Sequence, residues 1–289
     1  MRIFFASQMS SLKQLASISN KFNILISYEY YKDNYLPIIH ELTDKYFIFD
    51  SGAFSVWKSN SSIDIDKYIS KINELHKSLG DKLIAINLDV IPGKFGIKPT
   101  PEEVKLSCEA SYKNYLYIKS KTKCKLMPVF HQHDNFEWLD IYIKDDCFLL
   151  GISPANDCTT KQRILWLDQV FSKVKLQKRC HGLAATAIPI MSRYPFYSCD
   201  SASWLLSSAF GITLFFNPRT CKMETVHYKD KLSVIKKNAV RIVDGFNTPE
   251  QDKKKTQYIE RQKESVRSFL KAENYLNKLW QARGVKWND

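Results

Sequence analysis

The sequence contains no long uncharged apolar run. A helix that crosses a bilayer needs about 20 such residues, so no membrane span is expected. The opening "MRIFFASQMSSLKQL" lacks the apolar core of a signal peptide, and "RIFFA" reads as a first strand. No C-x-x-C pair occurs. The seven cysteines (Cys108, Cys124, Cys147, Cys158, Cys180, Cys199, Cys221) are scattered and odd in number. That argues against a disulfide framework or a zinc ribbon, and for free thiols in a reducing, cytoplasmic setting. G-x-S-x-G, Walker A and H-E-x-x-H are missing, and with them the signatures of the serine hydrolases, P-loop NTPases and zinc proteases that carry those motifs. "RIFFASQMSS" has no glycine, whereas a doubly wound dinucleotide-binding sheet carries a glycine-rich loop after its first strand. Internal repeats and low-complexity linkers are also lacking.

What is present is ordinary globular composition: 289 residues, 44% hydrophobic and 25% charged. The length fits one α/β barrel of about 250 residues plus a tail. The formal net charge is +13. Such an excess suits a polyanionic partner, DNA or RNA before membrane, although lysine-rich solvated helix faces produce the same total.

Short β-forming runs alternate with helical ones. The strand candidates are "RIFF", "NILISY", "YFIF", "KLIAINL", "KLMPVF", "CFLLGI", "RCHGLA" and "PFYSC". Between most of them lie helical segments. One places Ile63, Tyr68, Ile69, Ile72 and Leu75 at roughly helical spacing; another opens on Thr100, Pro101 and Glu103, a capping box with proline at the first helical position. Eight strands separated by helices predict a parallel sheet closed into a (β/α)8 TIM barrel over residues 1–211. Past Gly211 the alternation stops. "GITLFFNPRTCKMETVHY" reads as a hairpin around Asn217-Pro218, and the segment from Pro249 as a basic helical extension, so that 212–289 packs on the barrel.

Uncommon polar residues fall at the strand ends. Asp50 follows the third strand, Asp89 the fourth, His131, Gln132 and His133 the fifth. Gly151 and Ser153 close the sixth, His181 and Gly182 the seventh, and Asp200 the eighth. In a barrel these points meet at one rim, where barrel enzymes keep their active sites. Each Asp alone could be a helix N-cap; three acids at strand ends, with His and Gln besides, point to acid–base or nucleophilic chemistry. His131-x-His133 could offer two metal ligands, but no third is evident in the sequence, so no metal is expected.

"DSGAFS", "NLDVIP", "PVFHQ", "LLGIS" and "HGLAATAIPIMSRYPFYSCDS", in that order, resemble the guanine transglycosylases. These are the queuine/archaeosine tRNA-ribosyltransferases and their DNA-acting relatives in phages and bacterial genomic islands. The resemblance runs from about Phe47 to Trp204. It implies a pentosyl-transferring enzyme without cofactor. Asp200 would attack C1′ of a nucleotide and expel guanine, and a 7-deazaguanine base would replace it. Asp50 would handle protons and Asp89 would read the donor edge of the base. Gln132 or His131 and the Gly151 N–H would contact its carbonyl, with Ser51, Gly52, Phe54, His181 and Gly182 lining the base site. The zinc motif of the tRNA enzymes, C-x-C-x-x-C plus His, is lacking, since only Cys221 follows Cys199; "DSASWLL" also departs from their Arg-ending segment. Both departures favour DNA over tRNA as the substrate. A non-catalytic nucleic-acid-binding subunit is a third reading, and an unrelated barrel hydrolase acting on a sugar a fourth.

Overall fold

A computed structural model describes residues 1–19, 21–94, 97–155, 157–227 and 250–287. Pro249, the expected start of the basic tail, lies outside the described residues. Nine parallel strands form one sheet: β1 (Arg2–Ala6), β2 (Phe22–Ser27), β3 (Thr43–Asp50), β4 (Leu83–Ile86), β5 (Lys125–Met127), β6 (Val129–His131), β7 (Leu150–Ser153), β8 (Cys180–Gly182) and β9 (Ser198–Ser201). Their order is β5-β4-β3-β2-β1-β9-β8-β7-β6. The two ends of that order, β5 and β6, are halves of the single run "KLMPVF". Pro128 divides them because it has no N–H to give the ladder. Its carbonyl still accepts from Gly151 N–H at 2.8 Å. The sheet therefore closes on itself through Pro128, and the fold is the expected (β/α)8 barrel.

Strand periodicity separates two cores. Side chains alternate across a strand, so Ile3 and Phe5, Ile24 and Ile26, and Phe47 and Phe49 meet the helices, while Phe4, Leu25, Tyr46 and Ile48 fill the interior with Ile84, Ile86, Met127 and Val129. The same alternation carries Asp50, two residues past Ile48, to the inner face at the mouth.

The helices that cover the barrel are α1 (Met9–Ala16), α2 (Leu36–Leu42), α3 (Ala53–Ser59), α4 (Ile65–Leu79), α5 (Pro101–Lys121), α6 (Phe136–Lys144), α7 (Thr160–Val174), α8 (Ile188–Arg193) and α9 (Ser203–Ala209). The Thr100–Glu103 capping box opens α5 as expected: Thr100 Oγ1 accepts from Glu103 N–H, and Glu103 Oε2 accepts from Thr100 N–H at 2.7 Å. In α4, Tyr68, Ile69, Ile72 and Leu75 form the buried stripe. Among the described residues no helix is long and apolar enough to cross a membrane.

Beyond the barrel, β10 (Ile212–Asn217) and β11 (Lys222–His227) pair antiparallel as a hairpin. A long helix, α10 (Glu250–Ala282), lies against α9, α1, α8 and β10. Although the segment is basic, Val266, Phe269, Ala272, Leu276 and Trp280 are buried. Polar ties fix it to the barrel: Ile3 N–H donates to Glu273 Oε2 at 2.9 Å, and Trp280 Nε1 to Met191 O at 2.9 Å.

Candidate active site at the barrel mouth

Asp50 ends β3 opposite Ser27 of β2. The chain then turns through Gly52 at φ +81°, a left-handed conformation that glycine adopts without strain. A Cβ on Gly52 would also stand 3.0 Å from Ser27 Oγ. Gly52 N–H donates to Asp50 Oδ2 at 3.2 Å, which holds the carboxylate at the mouth. Part of the Asp50 side chain reaches solvent through the opening, while protein crowds the rest. That crowding is the main cause of a pKa raised to about 6; the charges of Asp200 and Asp89 add to it, and Ser27 and Gly52 N–H oppose it. The Ser27 hydroxyl sits close enough to act on Asp50 yet makes no hydrogen bond of ordinary geometry.

Asp200 lies across the mouth on β9 and is almost wholly buried. Its Oδ1 accepts from Ala184 N–H at 2.9 Å and lies 3.3 Å from His181 Nε2. His181 is fully buried on β8, its Nδ1 2.8 Å from Ser198 Oγ and its ring against the edge of Phe4. A seryl, an imidazole and a carboxylate thus form one chain inside the barrel wall.

A second pair stands on the adjoining arc. His131 Nε2 is 3.2 Å from Asp89 Oδ2, and Asn87 Nδ2 donates to Asp89 Oδ1 at 2.7 Å. Burial alone would lower the His131 pKa. The hydrogen bond to Asp89 and the charges of Asp134 and Asp89 outweigh it and raise the pKa to about 9. Asp134 accepts from His131 N–H at 2.8 Å and from Cys108 Sγ at 3.3 Å. Burial raises its own pKa. Tyr68 of α4 knits the arc from behind, its hydroxyl donating to Ile86 O at 2.7 Å with Phe49 O 3.2 Å away.

The mouth therefore brings together Asp50, Asp89, His131, His181 and Asp200. The other expected residues sit differently. Gln132 Oε1 accepts from Ala155 N–H at 2.9 Å, tying two loops. The Gly151 N–H is engaged with Pro128 O inside the sheet. A Cβ on Gly182 would lie 2.8 Å from Ala185 Cβ and 3.0 Å from Cys199 Sγ, so the barrel wall itself requires glycine there. Ser51 is buried, and Phe54 of α3 is exposed with its ring 5.8 Å from Trp57. Sequence reasoning missed Asn87, Asp134, Ser27 and Ser198. Asn87 was within reach, since it precedes Asp89 by two residues in "NLD" at the same strand end.

No family model matches the chain, and no curated protein does. Solved structures do. The chain is similar to N-acetylneuraminate lyase from Mycoplasma synoviae, at 10% identity over 100% of this chain and 92% of that one, with a TM-score of 0.46. It is similar to dihydrodipicolinate synthase from Acinetobacter baumannii, at 14% identity over 69% of each chain and a TM-score of 0.44. Tryptophan synthase from M. tuberculosis gives 9% identity over 72% and 84%, with a TM-score of 0.38. At such identities and TM-scores the likeness carries no argument, and the reactions in those names are not carried to this chain.

The comparisons correct the expected family. No family model matches the chain, that of the guanine transglycosylases included, and none of the solved structures named above is one of them, so assignment to that family is withdrawn. With it go DNA-guanine and tRNA-guanine exchange, pentosyl transfer, insertion of 7-deazaguanine, and the non-catalytic subunit of such an enzyme. The physical reason lies in the motifs. They are strand-end pieces whose glycines and acids have local structural causes: Gly52 for its φ, Gly151 and Gly182 for close packing, Asp200 for the Ala184 N–H.

Proposed function

We propose that the protein is a barrel enzyme of general acid–base chemistry, cleaving a bond in a small polar substrate by hydrolysis or elimination. The observation that carries this reading is Asp50, a carboxyl at the mouth whose pKa of about 6 lies near neutral pH. A proton-transfer group works best when its pKa is close to the working pH, and two carboxyls with separated roles are a common way to assign base and electrostatic partner. Near neutral pH Asp50 takes a proton from a substrate O–H or N–H and returns it to the leaving group. Asp200 faces positive charge that develops on the substrate. Asp89, fixed by His131 and Asn87, orients substrate donors.

Two further observations support a donor-rich ligand. Ser27 Oγ and Asn87 Oδ1 are buried without a partner, and buried polar atoms of this kind are usually satisfied by a ligand or an ordered water. A lysine Schiff base is not favoured: the barrel-strand lysines, Lys45 and Lys125, lie at the opposite, N-terminal ends of β3 and β5. All seven cysteines are free, which supports a reducing compartment such as the cytoplasm. The excess positive charge supports a polyanionic partner, testable by salt-dependent retention on DNA or RNA.

The test is a panel of chromogenic ester, amide, glycoside and β-eliminating substrates. The reading requires a turnover whose kcat/KM rises through pH 6 and falls at least 100-fold in both Asp50→Asn and Asp200→Asn. Turnover indifferent to both substitutions sinks it.

A further inference from the structure

Outside the carboxylate mouth, three side chains from two neighbouring loops converge. His133 follows β6, and Asp157 and Cys158 follow β7; one imidazole nitrogen, one carboxylate oxygen and the Cys158 sulfur all lie within 4.8 Å of one another. We propose that His133, Asp157 and Cys158 form a binding site for a divalent transition-metal ion, zinc first. The proposal does not rest on the acid–base reading of Asp50.

The donor set selects the metal. A thiolate and an imidazole disfavour calcium and magnesium, which take oxygen ligands, and suit zinc or cobalt. With metal–ligand distances of roughly 2.0–2.3 Å, tetrahedral zinc holds its donors about 3.5 Å apart, so the loops need to close by roughly 1 Å. The loops are already joined. Gln132 N–H donates to Ser153 O at 3.1 Å, and Ala155 N–H to Gln132 Oε1 at 2.9 Å. Arg163 Nε donates to Ala155 O at 2.9 Å from α7, and Cys158 N–H reaches the same carbonyl at 3.3 Å. The turn that carries Asp157 and Cys158 is thereby held beside His133. His133 and Asp157 are exposed and Cys158 half-buried, so an ion can enter from solvent. Three protein ligands leave a position for water or a substrate oxygen, the arrangement of a catalytic rather than a structural zinc site. Cys158 must lose its proton on binding, so affinity rises with pH.

Cobalt(II) is the probe, because a cobalt–thiolate bond gives an intense near-ultraviolet charge-transfer band. Full-length protein titrated with cobalt is expected to develop that band with a stoichiometry of one, and zinc should displace it. Cys158→Ser should abolish the band, and His133→Ala should weaken binding at least tenfold, with unchanged thermal melting of the metal-free variants as the check on folding. Absence of the band in wild type, or its persistence in Cys158→Ser, overturns the site. Cys221→Ser, remote in sequence on the hairpin, should bind as wild type does; loss of the band there would likewise overturn it.

Discussion

Replacing Asp50 by Asn exposes a conflict between stability and chemistry at a single residue. The folded pKa, about 6, stands above the ordinary 3.8, so the folded protein holds this proton more tightly than the unfolded chain does. The associated stability is complete below pH 3.8 and is lost as the pH rises through 6. Above that, the ionised carboxyl costs the fold on the order of 3 kcal/mol, about two pKa units at about 1.4 kcal/mol each. Urea melts should therefore find Asp50→Asn more stable than wild type at pH 8, by up to that amount, and no more stable at pH 4. An equal difference at both pH values contradicts the burial argument. His131 acts with the same sign at higher pH. Its folded pKa of about 9 exceeds the ordinary 6.5, so its contribution is present below pH 6.5 and fades as the pH rises through 9. His131→Gln is expected to flatten the loss of stability between pH 7 and 9, and an unchanged slope would show that the Asp89 pairing is inert. The sequence disclosed the identity of these residues but not their partners. Asp134 and Ser198 matter through contacts across loops, and no pattern along the chain records those.

At the scale of elements, short continuous β-forming runs made the strands legible, because each buries both faces. The break at Pro128 was not read, since "KLMPVF" reads as one strand and the structure divides it. Two helices escaped. α3 follows Gly52 directly, with no side-chain hydrogen bond to cap it, and α8 is only six residues long, between Ala187 and Tyr194. Their start signals are weak because Gly52 caps α3 through backbone conformation, and short apolar runs such as "IPIM" fit either strand or helix. Tyr68 ties two strand ends to α4 through one hydroxyl. Tyr68→Phe should cost about 1–2 kcal/mol in chemical melts, since the buried Ile86 carbonyl loses its donor. Gly182→Ala forces a methyl to 2.8 Å from Ala185 Cβ and should destabilise by about 1–3 kcal/mol. A neutral result there would mean that β8 shifts freely, and with it the His181–Asp200 pair.

Taken whole, the molecule is a barrel with Asp50, Asp89, His131, His181 and Asp200 gathered at one end and a long helix bracing its flank. The helix was legible as a basic helical extension. Its buried face, Val266 through Trp280, was not, because charged residues are interspersed along the whole segment. Trp280→Ala should cost about 3–5 kcal/mol by opening a cavity beside α8, measured as a fall in melting midpoint. The family was the misread level. Short motifs at strand ends record what a closed parallel sheet demands, a glycine where loops pass closely and an acid where a backbone N–H needs an acceptor, and such demands recur in unrelated barrels. The central claim is that Asp50 is poised near neutral pH by its burial and by Asp200. Carbon-13 NMR titration of the Asp50 carboxyl tests it most directly. An apparent pKa near 6 that falls in Asp200→Asn is expected; a value near 4, unmoved by that substitution, would rule the burial and Asp200 out as its cause.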